Sequence, residues 1–194
     1  MHFTLADLVT DITQNGIESG GSLVELSVSE ALDSAGKGEF RFTVKDNGKG
    51  MSADELRRAQ DPFVTDGIKH PNRKVGLGLP FLIQTAEGSG GGWKMESAKR
   101  KGDAVSGGGG TTISAWFDLG NVDTPPVGDI PGMFRTVLLF GGPAEILIHR
   151  IREAPGEQID YEVRKTELAD ALGDLEDTQS LILLDQYLRS LEEE

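Results

Sequence analysis

At 194 residues the chain is long enough to bury a real core, as one domain with a small appendage. It holds no cysteine, which excludes a disulfide framework and thiolate metal sites, and its longest apolar runs, such as residues 136–140, stop far short of the roughly 20 residues a membrane helix needs. The formal net charge is −13, of which residues 153–194 hold −10 (13 acidic, 3 basic), so nucleic-acid binding through that region is disfavoured.

The N-terminal residues lack the basic start and apolar stretch of a secretory leader, so a cytoplasmic location is the expectation. Thr4 precedes Leu5, Leu8, Val9, Ile12 and Ile17, whose spacing predicts a helix with Thr4 and Asp7 at its N-cap and first turn. Gly20 and Gly21 end it. Alternation in residues 23–28 and 40–45 predicts two strands joined by a turn at Gly36 to Gly38, the second delivering Asp46. Ser52 and Glu55 form a capping-box pattern that starts a short helix to about Gln60, after which residues 62–74 read as a loop.

A helix over about 77–87 follows, then a strand near 93–99, a glycine-rich stretch from 100 to 110 and a strand over 111–119. This order predicts an α/β (α+β) two-layer sandwich, a mixed sheet under one helical layer. Residues 120–132, with three prolines, are the expected boundary between a domain over residues 1–120 and an extension over 133–194. In the extension, residues 134–140, 145–152 and 158–165 read as strands, and 167–172 and 177–191 as helices. The acidity there suits either a solvated helix face or docking on a basic partner protein.

Three separated segments, Asp11-Ile-Thr-Gln-Asn15, Asp46-Asn-Gly48-Lys-Gly50-Met51 and Gly76-Leu77-Gly78-Leu79, have the order and spacing of the pieces of one nucleotide pocket. Together they resemble the GHKL superfamily, the Bergerat-fold ATPases that include gyrase, the MutL mismatch-repair proteins, Hsp90 chaperones, histidine-kinase catalytic domains and anti-sigma-factor serine kinases. The resemblance covers roughly residues 4–119 and implies binding of ATP with Mg2+.

Carried onto these residues, the resemblance makes Asn15 the magnesium ligand, whose amide oxygen is a hard neutral donor. Asp46 becomes the acceptor for the adenine amino group, with Gly48, Gly50 and Met51 lining the ring. Gly76, Leu77, Gly78 and Leu79 form the return of a mobile lid, where backbone N–H groups point at phosphate. Thr111 completes the adenine end through a water. Phe63 stands in the segment before the lid, and Lys69, Arg73 and Lys74 are candidates to neutralise phosphate charge. On the residues alone, Asn15 also suits a helix end, Asp46-Asn-Gly48 an ordinary turn, and the lid cations a solvated basic loop.

Asp11 lies one helical turn before Asn15, where gyrase, MutL and the anti-sigma kinases carry a Glu that activates the attacking water or hydroxyl. Histidine kinases usually have Asn there, and Glu18 stands where many of them have Lys. Asp11 is thus the candidate general base, one methylene shorter than the Glu. None of His2, His70 and His149 sits in a paired-helix segment suited to a phosphoacceptor. The expected function is that of a regulatory ATPase or a serine/threonine- or histidine-kinase-like protein kinase. The alternatives are an ATP-dependent switch without turnover and an interaction protein whose pocket has lost ATP. A protein partner or a homodimer is the expected company.

Overall fold

The structure is a computed structural model and describes residues 4–60, 78–100, 108–143 and 145–193. The expected lid residues Phe63, Lys69, Arg73 and Lys74, and with them Gly76 and Leu77, lie outside the described residues.

Helix α1 (Leu5–Ile17) begins with a reciprocal capping box: the Asp7 backbone N–H donates to the Thr4 hydroxyl at 3.1 Å, and the Thr4 N–H donates to the Asp7 carboxylate at 2.9 Å. Its apolar stripe, Leu5, Leu8, Val9, Ile12 and Ile17, is buried against the sheet. Residues 120–129 pass over the start of this helix, and the carbonyls of Pro126 and Val127 accept from the N–H groups of Leu5 and Ala6, each at 2.9 Å. Two donors that a helix start leaves unpaired are thus satisfied by the segment read as a boundary.

Strands β1 (Leu23–Leu32), β2 (Gly38–Asp46), β3 (Gly92–Ala98), β4 (Gly110–Asp118), β5 (Glu145–Ala154) and β6 (Glu157–Arg164) form one sheet in the order β3-β4-β2-β1-β5-β6. Every neighbouring pair is antiparallel except β1 and β5, which run parallel, so the sheet is mixed. Val24, Leu26 and Val28 of β1, Phe40, Phe42 and Val44 of β2, Ile113, Ala115 and Phe117 of β4, and Ile146 and Ile148 of β5 are buried on one face. The intervening residues are half-buried or exposed, the pattern of a sheet covered on one side. This is the expected α/β sandwich. The sheet continues from β1 into β5 and β6 without a break, so the C-terminal hairpin shares the core built by the elements before it.

The helical layer comprises α1, α2 (Ala53–Gln60), α3 (Gly78–Gly88), α4 (Ile130–Leu139), α5 (Lys165–Leu172) and α6 (Thr178–Ser190). One expectation fails here: residues 134–140 are not a strand, since 134–139 belong to α4 and Phe140 is its C-cap. The apolar run Val137-Leu-Leu-Phe140 looks continuous, yet Ile130, Met133, Phe134, Val137 and Leu138 are the buried residues, a helical 3–4 spacing. Asp129 caps the helix by accepting from the Gly132 N–H at 3.2 Å, and Pro131 stands in its first turn. Burial of α4 between α1 and α6 outweighs the strand propensity of the run.

Candidate nucleotide site

The site is built where the exit of α1, the end of β2, the β3–β4 ends and the start of α3 converge. Gly16 is buried on Val44, Val24 and Asp46, and a Cβ there would come within 3.2 Å of the Val44 side chain. This close seating of α1 on the sheet brings its last turn to the end of β2. Asp11 and Asn15 project from the exposed side of α1, one turn apart, and the first residue of α3 adjoins both: a Cβ at Gly78 would lie 3.6 Å from Asn15 Nδ2 and 3.8 Å from Asp11 Cβ. The first described residue of α3 therefore stands beside the Asp11–Asn15 pair. Leu79, partly buried, packs α3 on the core together with buried Leu82 and Ala86.

Partial burial, and then the charge of Asp7 one turn earlier, push the Asp11 carboxyl above the ordinary aspartate range. Glu18 accepts a hydrogen bond from the Gln14 side chain at 3.0 Å.

Asp46 is buried, and its Oδ1 accepts from the Ser19 hydroxyl and from the Gly48 N–H, each at 2.8 Å. Burying a carboxylate requires such donors. Both bonds end on Oδ1, which leaves the acceptor capacity of Oδ2 for a ligand. In the antiparallel register Asp46 of β2 stands opposite Thr111 of β4, and Thr111 stands opposite Ser97 of β3. Directly paired residues share a face, so Asp46, Thr111 and Ser97 form a polar row across three strands at one end of the otherwise apolar face.

The turn after Asp46 is held from both sides. The Asn47 side chain accepts from the N–H groups of Ser22 and Leu23 at 2.8 and 3.0 Å. The Lys49 N–H donates to the Ser19 carbonyl at 3.2 Å, the Arg100 N–H donates to the Lys49 carbonyl at 2.9 Å, and the Arg100 guanidinium donates to the Asn47 carbonyl. Met51 donates its N–H to Ser97 Oγ at 2.8 Å and packs against the core. The two glycines are explained by the chain itself. A Cβ at Gly48 would overlap the Ser19 hydroxyl, and one at Gly50, whose φ is +60°, would overlap the Ala98 carbonyl oxygen. The space expected to face the adenine ring is, on the Cβ side of both residues, filled by protein.

Sequence reasoning did not single out Ser19, Asn47 or Ser97. Ser19 lies just beyond the end of α1, and its contact with Asp46, 27 positions later, carries no local signal. Ser97 and Asn47 act through strand register and a long-range turn contact, which local spacing does not carry.

The donors present suit a magnesium nucleotide. Among the described residues no cluster of three or more His, Cys, Asp or Glu could hold a metal by itself. The Asn15 side chain carries one hard amide oxygen, of the kind that would suit a divalent ion taking its other ligands from elsewhere. A buried carboxylate on a strand end and an exposed Asn on the helix that packs on that strand are set in one α/β sandwich.

The family model described as histidine kinase-, DNA gyrase B-, and HSP90-like ATPase matches residues 3–121, more than half of the chain. The chain belongs to that family, whose domain binds ATP in a Bergerat fold. Among solved structures it is similar to one described as the crystal structure of the N terminal domain of a DNA repair protein, with 11% identity and a TM-score of 0.49 over 89% of this chain. It spans 57% of that structure's chain. No curated protein matches. Among the described residues no helix is long and apolar enough to cross a membrane.

Proposed function

We propose that this ATP-binding chain takes ATP with magnesium across the end of β2 and turns it over slowly, by hydrolysis or by transfer of the terminal phosphoryl group to a partner protein. The observation that carries the reading is the placement of Asp11 and Asn15 against the start of α3, with Asp46 in register with Thr111. In this reading Asp46 accepts from the adenine amino group and Thr111 takes the neighbouring water. Asn15 holds the ion, and Gly78 begins the helix whose N–H groups face phosphate. Bound magnesium supplies charge neutralisation on the phosphates. Asp11 orients the nucleophile and accepts its proton, a role for which its raised pKa is in the useful direction. Phe63, Lys69, Lys74, Gly76 and Leu77 remain proposed contacts from the resemblance.

A second reading, an ATP-ordered switch that controls a partner without turnover, is favoured by the shorter reach of Asp11 compared with Glu. Calorimetric titration with ATP and with GTP, each with magnesium, followed by a phosphate-release assay, separates hydrolysis from the switch. ATP-selective binding with slow release supports turnover, binding without release supports the switch or a kinase lacking its substrate, and absence of binding refutes both.

A further inference from the structure

We infer that Ser19 is a positioning residue for base selection, holding the Asp46 carboxylate so that a single oxygen is presented to the purine 6-position. The inference rests on the reading of Asp46 as the adenine contact and adds a residue to which no role is assigned.

Ser19 follows the C-cap of α1 and is fixed through its own backbone. Its N–H donates to the Gly16 carbonyl at 3.1 Å, and its carbonyl accepts from the Lys49 N–H at 3.2 Å, so the residue is tied at once to the helix and to the turn beyond Asp46. From that anchored position its hydroxyl donates to Asp46 Oδ1 at 2.8 Å. The Gly48 N–H donates to the same oxygen at the same distance, from the opposite side of the turn.

Two donors on one oxygen restrict rotation of the carboxylate about its last torsion, which is otherwise broad. Oδ2 then has one orientation. An acceptor so fixed rewards an amino group at the purine 6-position and opposes a carbonyl there, because two lone-pair oxygens would face each other. Gly48 belongs to the same device. The space its Cβ would need is taken by the Ser19 side chain and, at 2.7 Å, by Asp46 Oδ1, so the second donor comes from a glycine because the bonded Ser19–Asp46 pair fills that space. With Ser19 truncated, only the Gly48 N–H holds Oδ1, and the carboxylate regains freedom that costs most when the ligand depends on its direction.

The test is calorimetric binding of ATP and of inosine triphosphate, each with magnesium, to the full chain and to Ser19→Ala, Ser19→Thr and Asp46→Asn, with thermal melts confirming folding. Loss of one positioning hydrogen bond predicts about a three- to tenfold weaker ATP affinity for Ser19→Ala, with inosine triphosphate changed by less than about twofold. The preference for ATP therefore shrinks. Ser19→Thr, which retains the hydroxyl, keeps the parent preference. Equal weakening of both nucleotides, an unchanged preference in Ser19→Ala, or a Thr variant that behaves as the Ala variant does would overturn the inference. If Asp46→Asn itself leaves the preference for ATP intact, the underlying assignment of Asp46 fails; if Asp46→Asn removes the preference and Ser19→Ala does not, only the role of Ser19 fails.

Discussion

Asp46 and Thr111 stand directly opposite one another where β2 pairs with β4, although 65 positions separate them in sequence. Each is tied to a serine, Asp46 to Ser19 at 2.8 Å and Thr111 to Ser97 at 2.9 Å. The single Ser97 hydroxyl proton is placed to donate to the Gly110 carbonyl at 3.0 Å. The Thr111 hydroxyl must then donate to Ser97, and its oxygen keeps acceptor capacity. Asp46 and Thr111 thus offer two neighbouring acceptors on one face of the sheet.

Replacement of Thr111 by Val keeps the shape and removes that second acceptor together with the donor to Ser97. ATP affinity is expected to fall about three- to tenfold, while Ser97 keeps its bond to the Gly110 carbonyl and the fold survives. Titration with ATP alongside a melting curve checks both parts. Unchanged affinity would remove Thr111 from the site.

Gly50→Ala tests the packing explanation of the second glycine. A φ of +60° is strained for alanine, and the added methyl would collide with the Ala98 carbonyl oxygen, a backbone atom that has no rotamer to escape into. A loss of about 2–3 kcal/mol is expected, visible as a drop of roughly 5–10 °C in melting temperature for a chain of this size. Gly36, also at positive φ but with nothing near its Cβ, is the control and should lose less.

Asp11→Asn should abolish phosphate release while leaving ATP affinity within about twofold of the parent, if Asp11 is the base. The stability change has the opposite sign. Because burial and Asp7 raise the Asp11 pKa in the folded state, its ionised form opposes folding above that pKa. The penalty is present at neutral pH and disappears as the pH falls below the unfolded value near 3.8. The Asn variant is therefore expected to melt about 1 °C higher at pH 7, the size expected of a partly exposed charge, and to match the parent near pH 3. Melting curves at the two pH values check the sign.

Among the described residues up to 119 the elements were legible because each signal there is local: a capping box at Thr4 and Asp7, period-two strands, and glycines at turns. The helical reading failed only in α4, where four consecutive apolar residues mask the 3–4 spacing that burial reveals, and where the Asp129 cap and Pro131 were the overlooked cues. Asp11, Asn15, Asp46, Gly78 and Thr111 were singled out from motifs, and the structure sets Gly78 beside Asp11 and Asn15, and Asp46 opposite Thr111. Ser19 and Ser97 were missed because they act on other side chains across the fold. The Arg150 cluster was missed for the same reason, since its members come from three strands, β1, β5 and β6, and the segment after α6.

That cluster makes the last prediction. Arg150, 1% exposed, donates to Glu30 at 2.6 Å and to Glu192 at 3.1 Å, and the Tyr161 hydroxyl donates to Glu192 at 2.6 Å. It fastens the segment after α6 to the far end of the sheet. Removing the cation in Arg150→Met leaves Glu30 buried without its partner and is expected to cost about 3–5 kcal/mol, whereas Glu192→Gln, at a more open position, should cost about 1 kcal/mol. Urea melts rank the two, and a smaller loss for Arg150→Met would refute the ordering. Burial and the bond to Glu192 raise the Tyr161 pKa well above its ordinary value of 10.0. A raised folded pKa gives stability that is whole below pH 10 and declines as the pH rises beyond it. Tyr161→Phe, lacking the titrating hydroxyl, should lose that alkaline decline while being less stable than the parent at pH 8, so the two melting profiles are expected to converge above pH 10.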